Sequence, residues 1–216
     1  MDGDSFVEAV SEAQATELHR LGSDKYLVAA TGADLAEGPV LASVAQTAAS
    51  GRETFETWAE HESGPAAEAF AAAADTEAEH LGRLHERLTD ETASTGDAGE
   101  DGPGANGVDE ALGTAETTAE RAGALVGRGL VLDRTLLQVV NFFVNEGDNA
   151  GADFVRELRS DANDQVSAGA ELLETVCESD KDWEEAQTAA ERVIETAYDE
   201  YAAALEGMGV DPKPVC

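Results

Sequence analysis

A carboxylate stands where a hydrophobe belongs in the stretch 70–88, FAAAADTEAEHLGRLHERL. Read at about 100° per residue, Phe70, Ala73, Glu77, Leu81, Leu84 and Leu88 fall on one stripe of a predicted helix. Glu77 lies at the centre of that stripe, His80 at its edge, and Asp75 and Glu79 project toward solvent. An ionised carboxylate turned into a helical core is costly unless a cation, a metal or a hydrogen-bond network meets it. Glu-x-x-His on an inner helix face is also how four-helix bundles present two ligands to a metal pair. Two chemistries therefore fit Glu77 and His80: metal ligation and a satisfied polar core.

The elements that must hold these residues are all helical. Asp4 is positioned to cap a first helix running to about Leu21, stopped by Gly22, and a short helical piece covers residues 24–30. A helix over 40–61 carries Val44, Ala48, Gly51, Phe55 and Trp58 inward, with no acid among them and Glu53, Glu56 and Glu60 outward. Ser63-Gly64-Pro65 turns the chain into the Glu77 helix. Residues 89–108, TDETASTGDAGEDGPGANGV, hold no periodicity and predict a flexible crossover linker.

A helix over 114–145 follows, apolar around most of its circumference, with Gly123, Gly127 and Gly129 allowing close backbone approach. It is the most buried element expected, and its odd member is Asp133, on a stripe with Val126, Leu130, Leu137, Val140 and Val144. After Glu146-Gly147-Asp148, a helix over 150–177 puts Phe154, Leu158, Asp161, Gln165, Ala168, Leu172 and Val176 on one stripe. Ser179 or Asp182 caps a last helix over 183–206, whose Ala186, Ala190, Val193, Ala197, Tyr201 and Leu205 form a covering face. No strand pattern occurs, so the expected fold is all-α. A single helical domain is expected: residues 1–88 form an N-terminal helix and first hairpin, 89–108 the crossover, 109–177 a second hairpin, and 178–216 a C-terminal helix and tail.

Composition narrows the classes of function. Thirteen basic residues against 46 acidic ones give a net charge of −33, which repels nucleic acid and anionic membrane. The acid is interleaved with Ala, Leu and Val along helices, so it describes a solvated face and resembles proteins of salt-loaded archaeal cytoplasm. No apolar run approaches the roughly 20 residues of a membrane span, and Met1-Asp2-Gly3-Asp4 is acidic where a signal peptide needs positive charge. The expectation is a cytoplasmic protein. Cys177 and Cys216 make no Cys-x-x-Cys pair, and Cys177 among Leu172, Leu173 and Val176 reads as a buried small hydrophobe. His19, His61 and His85 read as surface residues, and Tyr198 and Tyr201 fit either the face of a homodimer or a cover over the bundle.

The helices also repeat. Phe70 is followed at offsets of seven and ten by Glu77 and His80, and Phe154 at the same offsets by Asp161 and Asp164. Each set follows a helix and a glycine turn, the order of a duplicated hairpin joined by a crossover. Asp133 and Asp161 each lie 14 residues from Gly147, so an antiparallel pair sets them at similar height. Here the chain resembles the rubrerythrin family of ferritin-like proteins. The resemblance is carried by Phe70-(x)6-Glu77-Ala-Glu-His80 with Leu81-Gly-Arg-Leu84, and by Asn145-Glu-Gly147 with Phe154-(x)6-Asp161-x-x-Asp164. It covers about residues 40–88 and 115–177, and implies a ferritin-like four-helix bundle with added N- and C-terminal helices.

That family holds two irons with one Glu from each of two helices and Glu-x-x-His from each of the others, and many members reduce peroxide. By resemblance Glu77 and His80 match one Glu-x-x-His, and Asp161 and Asp164 take the place of the other. The chain departs from the pattern where VLASVAQTAAS brings no Glu, where Asp164 replaces a His, and where the preceding helix brings only Asp133. The four-cysteine iron domain of full rubrerythrins has no counterpart here. The expectation is therefore a degraded di-iron centre in a protein that is non-catalytic or weakly metal-binding, with iron, manganese or zinc at a residual site of Glu77, His80, Asp133, Asp161 and Asp164. The alternatives are a working iron or manganese protein of peroxide defence or iron handling, and a regulatory scaffold acting through protein partners. In the polar-core reading Arg52, near the mirror position of Glu77 across the Gly64 turn, supplies the positive charge, and Gln165 joins the network.

Overall fold

A computed structural model describes residues 1–95 and 106–213. Among these residues there are nine helices and no strand. Helix α1 (Gly3–Ala13) is capped by Asp2, whose Oδ1 accepts the Ser5 N–H at 2.8 Å, not by Asp4 as the sequence suggested. The single first helix expected is broken: Gln14, at ψ 23°, separates α1 from α2 (Ala15–Leu21). Its side chain is buried and donates to Glu195 at 3.2 Å, a tertiary tie that pattern reasoning does not see. Helix α3 (Tyr26–Ala30) is the short helical piece expected.

Two hairpins make the body of the molecule. Helices α4 (Glu37–His61) and α5 (Pro65–Thr95) pack along each other across Gly64, at φ 59°. Helices α7 (Thr118–Glu146) and α8 (Asn149–Val176) do so across Gly147, at φ 76°. Both turns need a left-handed residue, which glycine adopts without a Cβ clash. Thr117 and Glu120 form a capping box at the start of α7, and Asp148 caps α8. Arg87 of α5 bridges the hairpins, reaching Glu37 at 2.8 Å and Asp148.

Helices enter both ends of the stretch 89–108, where the sequence predicts none. Helix α5 continues to Thr95, and α6 (Asn106–Gly113) begins before the linker was expected to end. The apolar stripe marks where a helix is buried, not where it stops, and no glycine or proline follows Leu88 before Gly96. Residues 96–105 lie outside the described residues. In α6, Leu112 is fully buried and Ala111 nearly so, an i, i+3, i+4 series with Val108 that the high local glycine and acid content masked.

Helix α9 (Asp180–Gly207), capped by Ser179, lies along α7, so α7 is enclosed between α8 and α9. This accounts for burial nearly all round α7 from Ala122 to Gly129. Gly123 and Gly127 face the α9 backbone: a Cβ on Gly123 would lie 2.8 Å from Ala186 Cα, and one on Gly127 would lie 2.9 Å from Ala190 Cα. Gly123→Ala is accordingly expected to cost about 1–3 kcal/mol, because neither helix backbone can yield locally. Gly82→Ala, where a Cβ meets nothing within 4 Å, is expected to gain up to about 1 kcal/mol. Urea midpoints of the two variants check the contrast.

Tyr201, 4% exposed, is part of the cover, its hydroxyl 3.0 Å from Ser23 Oγ. No helix among the described residues is long and apolar enough to cross a membrane.

Candidate functional site

A polar layer cuts every helix of the two hairpins at one height. On α4, Thr47 and Gly51 lie between the Val40–Leu41 end and the Phe55–Trp58 end; on α5, Glu77 lies between Leu84 and Phe70. On α7, Arg128 falls between Leu136 and Leu125, and on α8 Gln165 falls between Leu158 and Leu172. One apolar cluster thus fills the end of the bundle holding Phe55, Trp58 and Phe70, and another the end holding Leu41, Leu84 and Phe143. The layer between them is dominated by a single ion pair.

Arg128 Nη1 donates to Glu77 Oε1 at 2.6 Å, and each side chain is 3% exposed. Gln165 Nε2 donates to the same Oε1 at 2.9 Å, and Arg128 Nη2 donates to the Thr47 carbonyl at 3.0 Å. The guanidinium carbon lies 5.2 Å from the centre of the Phe55 ring, a cation–π distance. Room for the guanidinium comes from Gly51: a Cβ there would lie 2.6 Å from Arg128 Cζ. Burial by itself drives the Glu77 carboxyl upward, but the Arg128 charge, the Arg128 and Gln165 hydrogen bonds and nearby His80 overcome it. The net direction is below the usual carboxylate value.

The second Glu77 oxygen leads toward the surface. His80, 6% exposed, has Nδ1 3.9 Å from Glu77 Oε2 and Nε2 2.8 Å from Asp161 Oδ2. Asp161 is 40% exposed at its side chain, so the series Glu77, His80, Asp161 runs from core to solvent. A cavity of about 30 Å³ adjoins Glu77, His80 and Arg128, on the order of one water's share of liquid volume.

Of the residues singled out from the sequence, Glu77, His80, Asp161 and Gln165 are brought together. Asp133 and Asp164 are not. Asp133 does sit at the height expected from the Gly147 turn, but on the other flank of α8. Its carboxylate accepts from Arg159 at 2.8 Å and from Asn163 at 3.1 Å. Asp164 is exposed, because Gln165 takes the inward position one residue on. The repeat register is therefore not the one the core uses: Phe70 is fully buried, whereas Phe154 is partly exposed beneath Arg83.

Arg52 is also displaced from its expected role. It pairs along its own helix with Glu56 at 3.4 Å, half-exposed, while its neighbour Gly51 faces inward and receives Arg128. Sequence reading missed Arg128 itself. The signal was present: it is the one charge between Ala122 and Leu132, flanked by Gly127 and Gly129, on a stripe with Ala124, Leu132 and Thr135. His19, His61 and His85 are exposed, as expected. Cys177 is half-buried, and burial together with Asp182 pushes its thiol up to about 11, which leaves it weakly nucleophilic. Cys216 lies outside the described residues. Compared with known proteins, the chain matches no protein-family model, no curated protein and no solved structure.

Proposed function

We propose that the chain is a rubrerythrin-related, ferritin-like bundle of a halophilic archaeon in which a guanidinium has taken the place of the metal charge. On this reading it performs no redox chemistry, and its role in the cytoplasm is carried by its surface and by protein partners. The observation that carries the reading is the 2.6 Å contact between Arg128 and Glu77.

The donor set does not fit a di-iron centre. Such a centre needs about six carboxylate and imidazole ligands converging from four helices. Here α4 turns Thr47 and Gly51 toward the centre, α7 turns Arg128, and α8 turns Gln165. A cation at Glu77 Oε1 competes with a guanidinium and an amide that already donate to it. A polar layer of this kind sets helix register, since sliding one helix by a turn leaves Glu77 and Arg128 buried without each other. That is a structural reason for it to exist without catalysis.

Metal analysis of protein purified at high salt tests the reading. Substoichiometric iron, manganese and zinc, with an unchanged fold in chelator, is the expected result. About two irons per chain, lost together in Glu77→Ala and His80→Ala, is the result that overturns it. A single divalent ion at Glu77, His80 and Asp161 fits less well, because the two carboxylates meet opposite ring nitrogens of His80. About one ion per chain, lost in both His80→Ala and Asp161→Asn, would likewise overturn the reading.

A further inference from the structure

Arg128 also borders a larger cavity, of about 350 Å³, lined by residues of α2, α3, α4, α6, α7 and α9. That volume is within the range of small-molecule sites, roughly 300–1,000 Å³. Most of the wall is apolar, with Leu21, Val131 and Leu132 among its residues. The charged groups facing it are Arg128, Asp109 and Glu200. Since Arg128 is compensated by Glu77 at 2.6 Å, the charge left over in the cavity is negative.

Asp109, on α6, accepts a hydrogen bond from Ser50 of α4, and Glu200, on α9, accepts the Gly107 N–H at 2.6 Å. Neither carboxylate makes an ion pair among the described residues. Burial pushes the Asp109 carboxyl up to about 6 against the opposing influence of Arg128, and Glu200 and Glu53 push it in the same direction as burial. Tyr26 and Tyr201 line the same cavity, and aromatic faces attract cations.

We propose that this cavity binds a small organic amine as its ammonium ion, with the ammonium group at Asp109 and Glu200 and the hydrocarbon body against Leu21, Val131 and Leu132. A carboxylate ligand fits less well, because Arg128 already has its counterion and two acids would repel the newcomer. A bare metal ion gains nothing from the apolar walls that make up most of the lining. The inference rests on the Arg128–Glu77 pair of the proposed function, and amine binding is read separately from the metal content that tests that pair.

Calorimetric titration of the full chain at constant high ionic strength tests it, using phenethylamine and its anionic near-isostere 3-phenylpropionate. The amine is expected to bind about once per chain, and the anion not to bind. Asp109→Asn with Glu200→Gln is expected to weaken amine binding roughly ten-fold or more, as the loss of charged hydrogen bonds does. Glu171→Gln with Glu184→Gln, equal in charge but at exposed sites, is expected to leave it unchanged.

Amine affinity in the unaltered chain is further expected to fall as pH drops through about 6, where Asp109 takes up a proton. Arg128, Glu200, Glu53, Tyr26 and Tyr201 are the other ionisable groups around it; none of them gains negative charge on acidification. In case the double variant does not fold, amide shifts on amine titration of the unaltered chain are expected at Val108, Ala197 and Ala204, which line the cavity. The proposal is overturned by no saturable amine binding, by equal binding of the anion, by equal loss in the surface-charge control, by unchanged binding in the double variant, or by shifts confined elsewhere.

Discussion

Arg128→Met is expected to cost about 3–5 kcal/mol at neutral pH, the range found when one partner of a buried ion pair is removed. Methionine fills much of the same volume, so the loss does not come from a cavity. It comes from Glu77, left 2% exposed with Gln165 and His80 beside its carboxylate and no cation to replace Arg128 among the described residues. Protonation is the escape open to such a group, and that reverses the pH dependence.

In the unaltered chain the folded-state value of Glu77 lies below its ordinary 4.5, so its contribution is present above that pH and fades as pH falls through the folded value. Without Arg128, burial dominates and the folded-state value rises above the unfolded one. The variant then takes up a proton on folding, and its deficit shrinks on acidification through that raised value. Urea unfolding of both proteins between neutral and mildly acidic pH, at fixed ionic strength, reads the sign directly. A parallel pH dependence in the two proteins contradicts the account.

Gly51→Ala is expected to destabilise by about 2–3 kcal/mol, although alanine in a helix interior ordinarily gains about 1 kcal/mol over glycine. The sign is reversed because the new methyl group occupies the space of the Arg128 guanidinium. An exposed arginine would swing aside at little cost. This one is held by Glu77 at 2.6 Å and the Thr47 carbonyl at 3.0 Å, so displacing it breaks both contacts. In an Arg128→Met background the same substitution meets an adaptable side chain with no charge to place. Most of the penalty is expected to vanish there, and thermal unfolding of the two single variants and the double variant checks it.

Much of this arrangement is legible before any coordinates. The 3.6-residue period puts Glu77 on the inner stripe and Glu53, Glu56 and Glu60 outside, because each depends only on local helix geometry. Gly64 and Gly147 are readable as turns for the same reason. The partner of Glu77 is not local. Arg52 and Arg128 are equally good cations by type, and only the way one hairpin lies on the other brings Arg128 to Glu77. The same limit hides the choice between Asp161 and Gln165 on α8, where a small rotation of the helix brings the amide to Glu77 and leaves the acid at the rim. Helix α6 escaped because eight residues hold too few apolar positions to outweigh their glycines and acids.

The central claim is that Arg128 holds Glu77 in the core. A double-mutant cycle of Glu77→Gln, Arg128→Met and the pair together, measured by urea unfolding at pH 7, tests it most directly. The account predicts that the pair together costs substantially less than the sum of the two single losses, and that adding Glu77→Gln to Arg128→Met restores a substantial part of the loss because no buried charge then lacks a partner. Losses that simply add would show that the two side chains are stabilised independently, and would contradict it.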